Sequence, residues 1–189
     1  MKKFFAVIAC ILCAFTLFAG TLELDLGIIG QYNSTLAETL EDSNNFQEFK
    51  FDLNDFNFGA TADVKFTIAD VNATAFVTKV EDVTILNGLL SGNIVLDIFF
   101  VRAAVGLGVN YLYDAENGFR FVGGDFLNAN LSVRAEVDVL LGNLRVGVYG
   151  YVPTLYTLSN ITTFKYDEVD LENFWKNAVI GVSVKTSLL

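Results

Sequence analysis

The residues best suited to chemistry in this sequence are charged side chains that recur at every second position. Arg134, Glu136 and Asp138 follow one another at this spacing, and Arg145 comes just beyond a tight turn at 141–143. Side chains two residues apart share one face of a β-strand. Two carboxylates on one face could act as a general acid and a general base. With an arginine beside them and another beyond the turn, neutralisation of charge explains the pattern better.

Other kinds of chemistry are poorly represented in the chain. It contains no histidine, the usual general base in enzymes built on small barrels. The acidic stretches 38–48 and 167–172 do not match a calcium loop with its required glycine. We therefore predict no enzymatic activity, no metal site and no cofactor. A Ser–Lys or Asp-only mechanism stays open, although no spacing indicates one.

The composition is too apolar for an ordinary soluble domain. Hydrophobic residues make up 53% of the 189 residues and charged residues only 18%. No segment after residue 19 approaches the ~20 consecutive apolar residues of a membrane-spanning helix. Short apolar runs with 18 Phe, 7 Tyr and a single Pro favour β-strands, and such runs are typical of a membrane barrel.

Residues 1–19 form a separate unit that we predict to be a cleaved export signal. Two lysines precede the apolar stretch 4–18, and the small residue Ala19 ends it. An uncleaved anchor and a lipoprotein signal at Cys10 are alternatives. Cleavage removes both cysteines and two positive charges, so the formal net charge changes from −10 to −12. Residues 20–189 are then one acidic, thiol-free domain, which we do not expect to bind nucleic acid.

Polar and apolar residues alternate over stretches long enough to cross a bilayer. In the clearest run, 56–68, apolar residues hold every even position and polar residues or glycine every odd one. These 13 residues exceed the ~9–11 that a tilted strand needs to span a membrane. With six further runs, seven strands are clear; the other six are 21–28, 71–75, 101–113, 127–139, 144–149 and 177–188.

An eighth strand is inferred at 93–99, with a sharp turn near residue 100 into the strand that starts at Val101. No Gly or Pro marks this turn, so one very long strand is the alternative. Even strand numbers in bacterial barrels favour eight. Long connections at 35–55, 81–92, 114–126 and 153–174 alternate with short turns at 69–70, near 100 and at 141–143. We therefore predict an all-β, eight-stranded antiparallel up-and-down transmembrane β-barrel with its long loops outside the cell.

Two features predict which face of each strand points inward. Six glycines fall in the polar phase, where a crowded lumen would need them: Gly27, Gly59, Gly106, Gly108, Gly147 and Gly181. Aromatic residues of the apolar phase gather at the loop ends, as in an interfacial girdle: Tyr32, Phe56, Phe58, Tyr111 and Tyr113. The polar phase then faces the lumen. A soluble periplasmic barrel, with the faces inverted, is the alternative.

This orientation gives a set of candidate lumen-lining residues. They are Asp63, Lys65, Asp97, Arg102, Arg134, Glu136, Asp138, Arg145 and Lys185, with Glu23 and Asp25 in the same phase of the first strand. These charges either pair across strands and fill a barrel too narrow to conduct, or form a selective polar pore.

Part of the sequence resembles a known family. The strand 102–111 followed by Asn117-Gly118-Phe119, and the closing segment 170–175 with the strand from Ala178, resemble the OmpW family of small outer-membrane barrels. The resemblance covers mainly 101–189, and it implies an eight-stranded barrel with a narrow channel for small hydrophobic compounds. Members of that family end on an aromatic residue, whereas this chain ends on Leu189.

The sequence thus predicts an outer-membrane protein in contact with lipid, and two functions follow. The first is a narrow channel for small, possibly apolar solutes. The second is a plugged structural or adhesin-type barrel that displays acidic surface loops, 35–55 and 153–174, to surface ligands.

Overall fold

The structure is a computed structural model that describes residues 22–32, 56–80, 83–161 and 175–188. The predicted signal, 1–19, and most of the predicted loops 35–55 and 153–174 lie outside these residues. The described strands are β1 (Leu22–Tyr32), β2 (Phe56–Phe66), β3 (Ala69–Val80), β4 (Val83–Ile98), β5 (Val101–Asp114), β6 (Gly118–Phe121), β7 (Asn130–Leu141), β8 (Leu144–Thr157) and β9 (Val179–Ser187). A 3-10 turn at Trp175–Asn177 precedes β9. None of the helical turns in these residues is long and apolar enough to cross a membrane.

Eight of these strands close into an antiparallel barrel. Neighbours around the wall are β1, β2, β3, β4, β5, β7, β8 and β9, and β9 pairs back onto β1. The short strand β6 pairs with the loop end of β5. Closure leaves the eight wall strands without a free edge. The predicted all-β, eight-stranded antiparallel fold is confirmed.

Three two-residue turns connect strands at one end of the barrel, which we call the turn end; the opposite end is the loop end. The turns are Thr67–Ile68, Phe99–Phe100 and Gly142–Asn143. The predicted turn at 69–70 was wrong, because Ala69 and Asp70 already pair within β3. The turn near residue 100 is confirmed, and it forms without glycine because Phe99 itself adopts a left-handed φ of 54°.

The predicted long connection at 81–92 was also wrong. Strand β4 begins at Val83, so only 81–82 separate it from β3. Two adjacent apolar residues, Leu89 and Leu90, hide the alternation there: Leu89 is buried, whereas Leu90 faces outward. Asn87-Gly88 also resembles a turn dipeptide, although both residues pair within the sheet.

The predicted connection 153–174 starts later than expected, because β8 continues to Thr157. Pro153 lies opposite Ser132, beside an irregularity in the pairing of β7 with β8. Proline is tolerated within a sheet at such irregularities. The connection predicted at 114–126 contains the short strand β6.

The barrel is apolar outside and polar inside, the reverse of a soluble barrel. Ile28 and Ile94 on the outer face are 68% and 66% exposed. Asp25, Arg134 and Ser132 on the inner face are at most 2% exposed. The prediction that the polar phase faces inward is therefore confirmed.

The interior is also as crowded as the glycines predicted. A Cβ atom on Gly59 would come 2.9 Å from the Phe76 ring, and one on Gly181 would overlap the Tyr149 ring. Phe76 and Tyr149 thus each lie opposite a glycine of a neighbouring strand.

Candidate functional site

The candidate site is the interior of the barrel, where the charged side chains meet. All nine lumen residues predicted from the sequence lie there, together with Glu23 and Asp25. Asp97 is the most exposed of the nine, because it lies at the turn-end mouth of the barrel, where its side chain is 34% exposed. The charges divide into two clusters, one at the turn end and one deeper in the barrel.

The turn-end cluster is centred on Glu23 and Arg102. Arg102 donates to Asp97 at 2.5 Å and to Glu23 at 2.8 Å. Lys65 contacts the same two carboxylates, Glu23 at 3.0 Å and Asp97 at 2.6 Å. Arg145 donates to Glu23 at 2.5 Å and also bonds Asp25. Each cation thus contacts at least two carboxylates, which satisfies several donors at once.

Arg102 contacts two carboxylates across the whole lumen. Three strands lie between β1, which carries Glu23, and β5, which carries Arg102, in either direction around the wall, so the two strands stand on opposite sides of the barrel. Their side chains nevertheless meet at 2.8 Å. Arg102 also lies 3.6 Å from Asp25 of β1. The turn end of the interior is therefore bridged from wall to wall.

The deeper cluster surrounds Lys185. Its ammonium lies 3.1 Å from Asp63, 2.8 Å from Glu136 and 2.9 Å from Asp138. Arg134 adds a second cation, 2.8 Å from Glu136. All five side chains are at most 6% exposed. Because these side chains are so deeply buried, removing one partner would leave an unpaired charge and strongly destabilise the folded state.

Further polar residues, which were not among the predicted lumen residues, surround the deeper cluster. Asp70, which the sequence placed in a turn, is buried and accepts a hydrogen bond from Asn93 at 2.9 Å. Asn72 is fully buried and donates to Asp63 and, at 2.9 Å, to Thr61. The alternation of the sequence could have identified these residues. With the turn at Thr67–Ile68, Asp70 and Asn72 fall in the same inward-facing phase of β3.

An apolar layer covers the deeper cluster on its loop side. Ile29, Phe76 and Tyr149 pack together, each at most 3% exposed, and Tyr151 packs against them. The guanidinium carbon of Arg134 lies 5.3 Å from the centre of the Tyr149 ring, within cation–π range. Sequence alternation placed Tyr149 inward but gave no indication of this layer, since Ile29 and Phe76 occupy polar-phase positions.

In this arrangement the charged side chains pack together and neutralise one another. The two clusters and Asp70 contain seven carboxylates and five cations. The carboxylates of the two clusters contact Lys or Arg side chains, so they are held in ion pairs. Within the described ranges, no three His, Cys, Asp or Glu side chains are grouped so that they could hold a metal ion.

Comparison with known proteins does not assign a family to this chain. No protein-family model matches the chain, and no curated protein matches it.

Proposed function

We propose that this chain is an outer-membrane β-barrel whose lumen is plugged by its own side chains. The outer face supports the membrane setting. Large apolar side chains project from it over the height of the wall, for example Ile28, Ile94, Val105 and Val148, each at least 54% exposed. Water would penalise so large an apolar surface, whereas lipid would cover it.

Aromatic side chains at the loop end give further support. The Tyr32 and Phe56 rings lie 5.4 Å apart in edge-to-face contact, and the Phe56 and Phe58 rings lie 6.4 Å apart. A second group stacks Tyr111 on Phe119 at 5.5 Å. Aromatic rings collect in this way where a membrane barrel meets the lipid–water interface.

The contact between Glu23 and Arg102 carries the proposal of a plug. It joins opposite walls at the turn end, and the fully buried cluster around Lys185 fills the next layer. A solute on the barrel axis would have to break both clusters and strip charges of their partners. This favours the plugged, structural or surface-display barrel over the narrow channel.

The display role itself concerns the acidic loops. Residues 33–55 and 162–174 lie outside the described part of the chain, so the proposal rests on their acidic sequence. Deleting 36–48 is expected to leave the barrel folded and to abolish binding to surface ligands. Unchanged binding to host cells or envelope components would oppose a display role for this loop.

Conductance of the refolded mature chain in a planar lipid bilayer tests the plug. We expect insertion without discrete current steps, with heat-modifiable gel mobility to show that the protein is folded. Steps that change in size in the variant Arg102→Gln would instead establish the channel, which the resemblance to the OmpW family implies, and would overturn the plug.

A further inference from the structure

A cavity of about 290 Å³ lies at the loop end of the barrel interior. Phe76 and Tyr151 line it and also belong to the apolar layer described above, so this layer forms the floor of the cavity. The cavity is therefore closed towards the ionic clusters. Among the described residues that line it, none carries a charge.

Four carboxamide side chains surround the cavity: Gln31, Asn57, Asn87 and Asn110. Gln31 and Asn57 are paired residues of β1 and β2. Asn87 donates to Thr78 at 3.0 Å, and Asn110 donates to Ser132 at 3.0 Å. Asparagine is depleted in strands. Three asparagines at one level of a barrel therefore indicate a role other than strand formation.

Gln31 shows that the cavity leaves hydrogen-bonding capacity unused. Its Oε1 atom is buried and accepts no hydrogen bond from the described residues. A buried acceptor without a donor costs free energy. A bound molecule that donates a hydrogen bond at this point would recover that cost.

We propose that the cavity binds a small uncharged molecule that carries hydroxyl or amide groups and one apolar face, such as a monosaccharide ring. An ion would find no opposite charge to replace its hydration. A purely apolar molecule would leave the carboxamides unpaired. The rings of Phe76 and Tyr151 offer apolar area for one face of the ligand. The volume is close to the lower limit of ligand pockets, roughly 300 Å³.

This site goes beyond the proposed function, because a plugged barrel needs no ligand. We would titrate N-acetylglucosamine into the ¹⁵N-labelled mature chain, folded in phosphocholine bicelles, and follow the side-chain amide resonances by NMR. We expect saturable shifts at the four carboxamides. The double variant Asn57→Leu, Asn87→Leu should weaken binding by about tenfold or more. The control Asn143→Leu, at an exposed turn-end position, should bind like the unmodified chain.

Two competitors define the chemistry of the site. Glucosamine, which has the same ring with a cationic amine, should bind at least about tenfold more weakly, because its charge has no partner. Toluene should not displace N-acetylglucosamine. No saturable shift in folded protein, or tighter binding of either competitor, would overturn the site and leave the plug intact. The unmodified chain decides these outcomes even if the double variant fails to fold. Current steps in a bilayer would overturn the plug without affecting this result.

Discussion

The ammonium of Lys185 in β9 lies 2.8 Å from a carboxylate oxygen of Glu136 in β7, although strand β8 stands between them. Gly147 of β8 lies between these two positions, opposite Asp138 of β7 and Ser183 of β9. A Cβ atom there would overlap the carboxylate of Asp138. A position without a side chain thus lets charges on non-adjacent strands meet.

Replacing Lys185 by methionine should destabilise the barrel strongly. Asp63, Glu136 and Asp138 would lose a shared cation in a region from which water is excluded. Breaking a buried ion pair in this way costs about 3–5 kcal/mol. The measurement is urea unfolding of the barrel in bicelles, followed by circular dichroism.

Lys176→Met is the matched control, because Lys176 lies in the 3-10 turn before β9 and not in either cluster. We expect it to change the unfolding free energy by less than about 0.5 kcal/mol. Equal effects of the two substitutions would show that the cluster around Lys185 contributes little to stability.

Gly181→Ala should destabilise the barrel by about 1–3 kcal/mol, because the new methyl group would overlap the Tyr149 ring. Gly92→Ala is the comparison. Gly92 faces outward, and an added Cβ there would meet nothing within 4 Å. We expect that variant to be neutral or slightly more stable. The same unfolding assay separates the two, and a harmless Gly181→Ala would contradict the close packing of the interior.

Ile28→Arg tests whether lipid covers the outer wall. Ile28 lies near the middle of β1 and is 68% exposed on the outer face, so in water an arginine there would cost little. At the midplane of a bilayer the same change costs about 2–4 kcal/mol. Leu155→Arg, at a 91% exposed position near the loop end, should cost about 0–1 kcal/mol. Similar small effects in bicelles would oppose a membrane-spanning wall.

The Asp114 turn should lose its order in acid. This carboxylate, beyond the aromatic residues at the loop end of β5, accepts backbone hydrogen bonds from Asn117 at 2.7 Å and Glu116 at 3.0 Å. The bond from Asn117, followed by that from Arg120, holds the pKa of Asp114 below its ordinary range. A folded-state pKa below the unfolded one stabilises the turn above the unfolded value, about 4. That contribution is lost as the pH falls through the folded pKa.

Amide shifts of residues 114–118, followed by NMR from neutral to acidic pH, measure this loss. Asp114→Asn is the control, since an amide at this position does not titrate over that range. Persistence of the transition in that variant would assign it to a different carboxylate.

The alternation of side chains predicted the wall but not its details. A period of two depends only on the strand itself, so it placed all nine charged residues inside without knowledge of their partners. It failed at Leu89–Leu90, where an inward leucine broke the pattern, and at Asp70, which was assigned to a turn. Which cation meets which carboxylate depends on the stagger of the closed barrel. The contact of Arg102 with Glu23 across the lumen could therefore not be predicted from the sequence.

The joining of the first strand to the last restricts how the barrel can assemble. Asp25 of β1 lies opposite Ser187 of β9, 162 residues further along the sequence, so this pairing forms only after nearly the whole chain is available. An open sheet entering hydrocarbon would carry its carboxylates and guanidinium groups without partners, at a high cost. We therefore expect the barrel to close at the same step as its interior carboxylates and cations form ion pairs. A chain that stops short of β9 should stall at the membrane surface rather than insert as a smaller barrel.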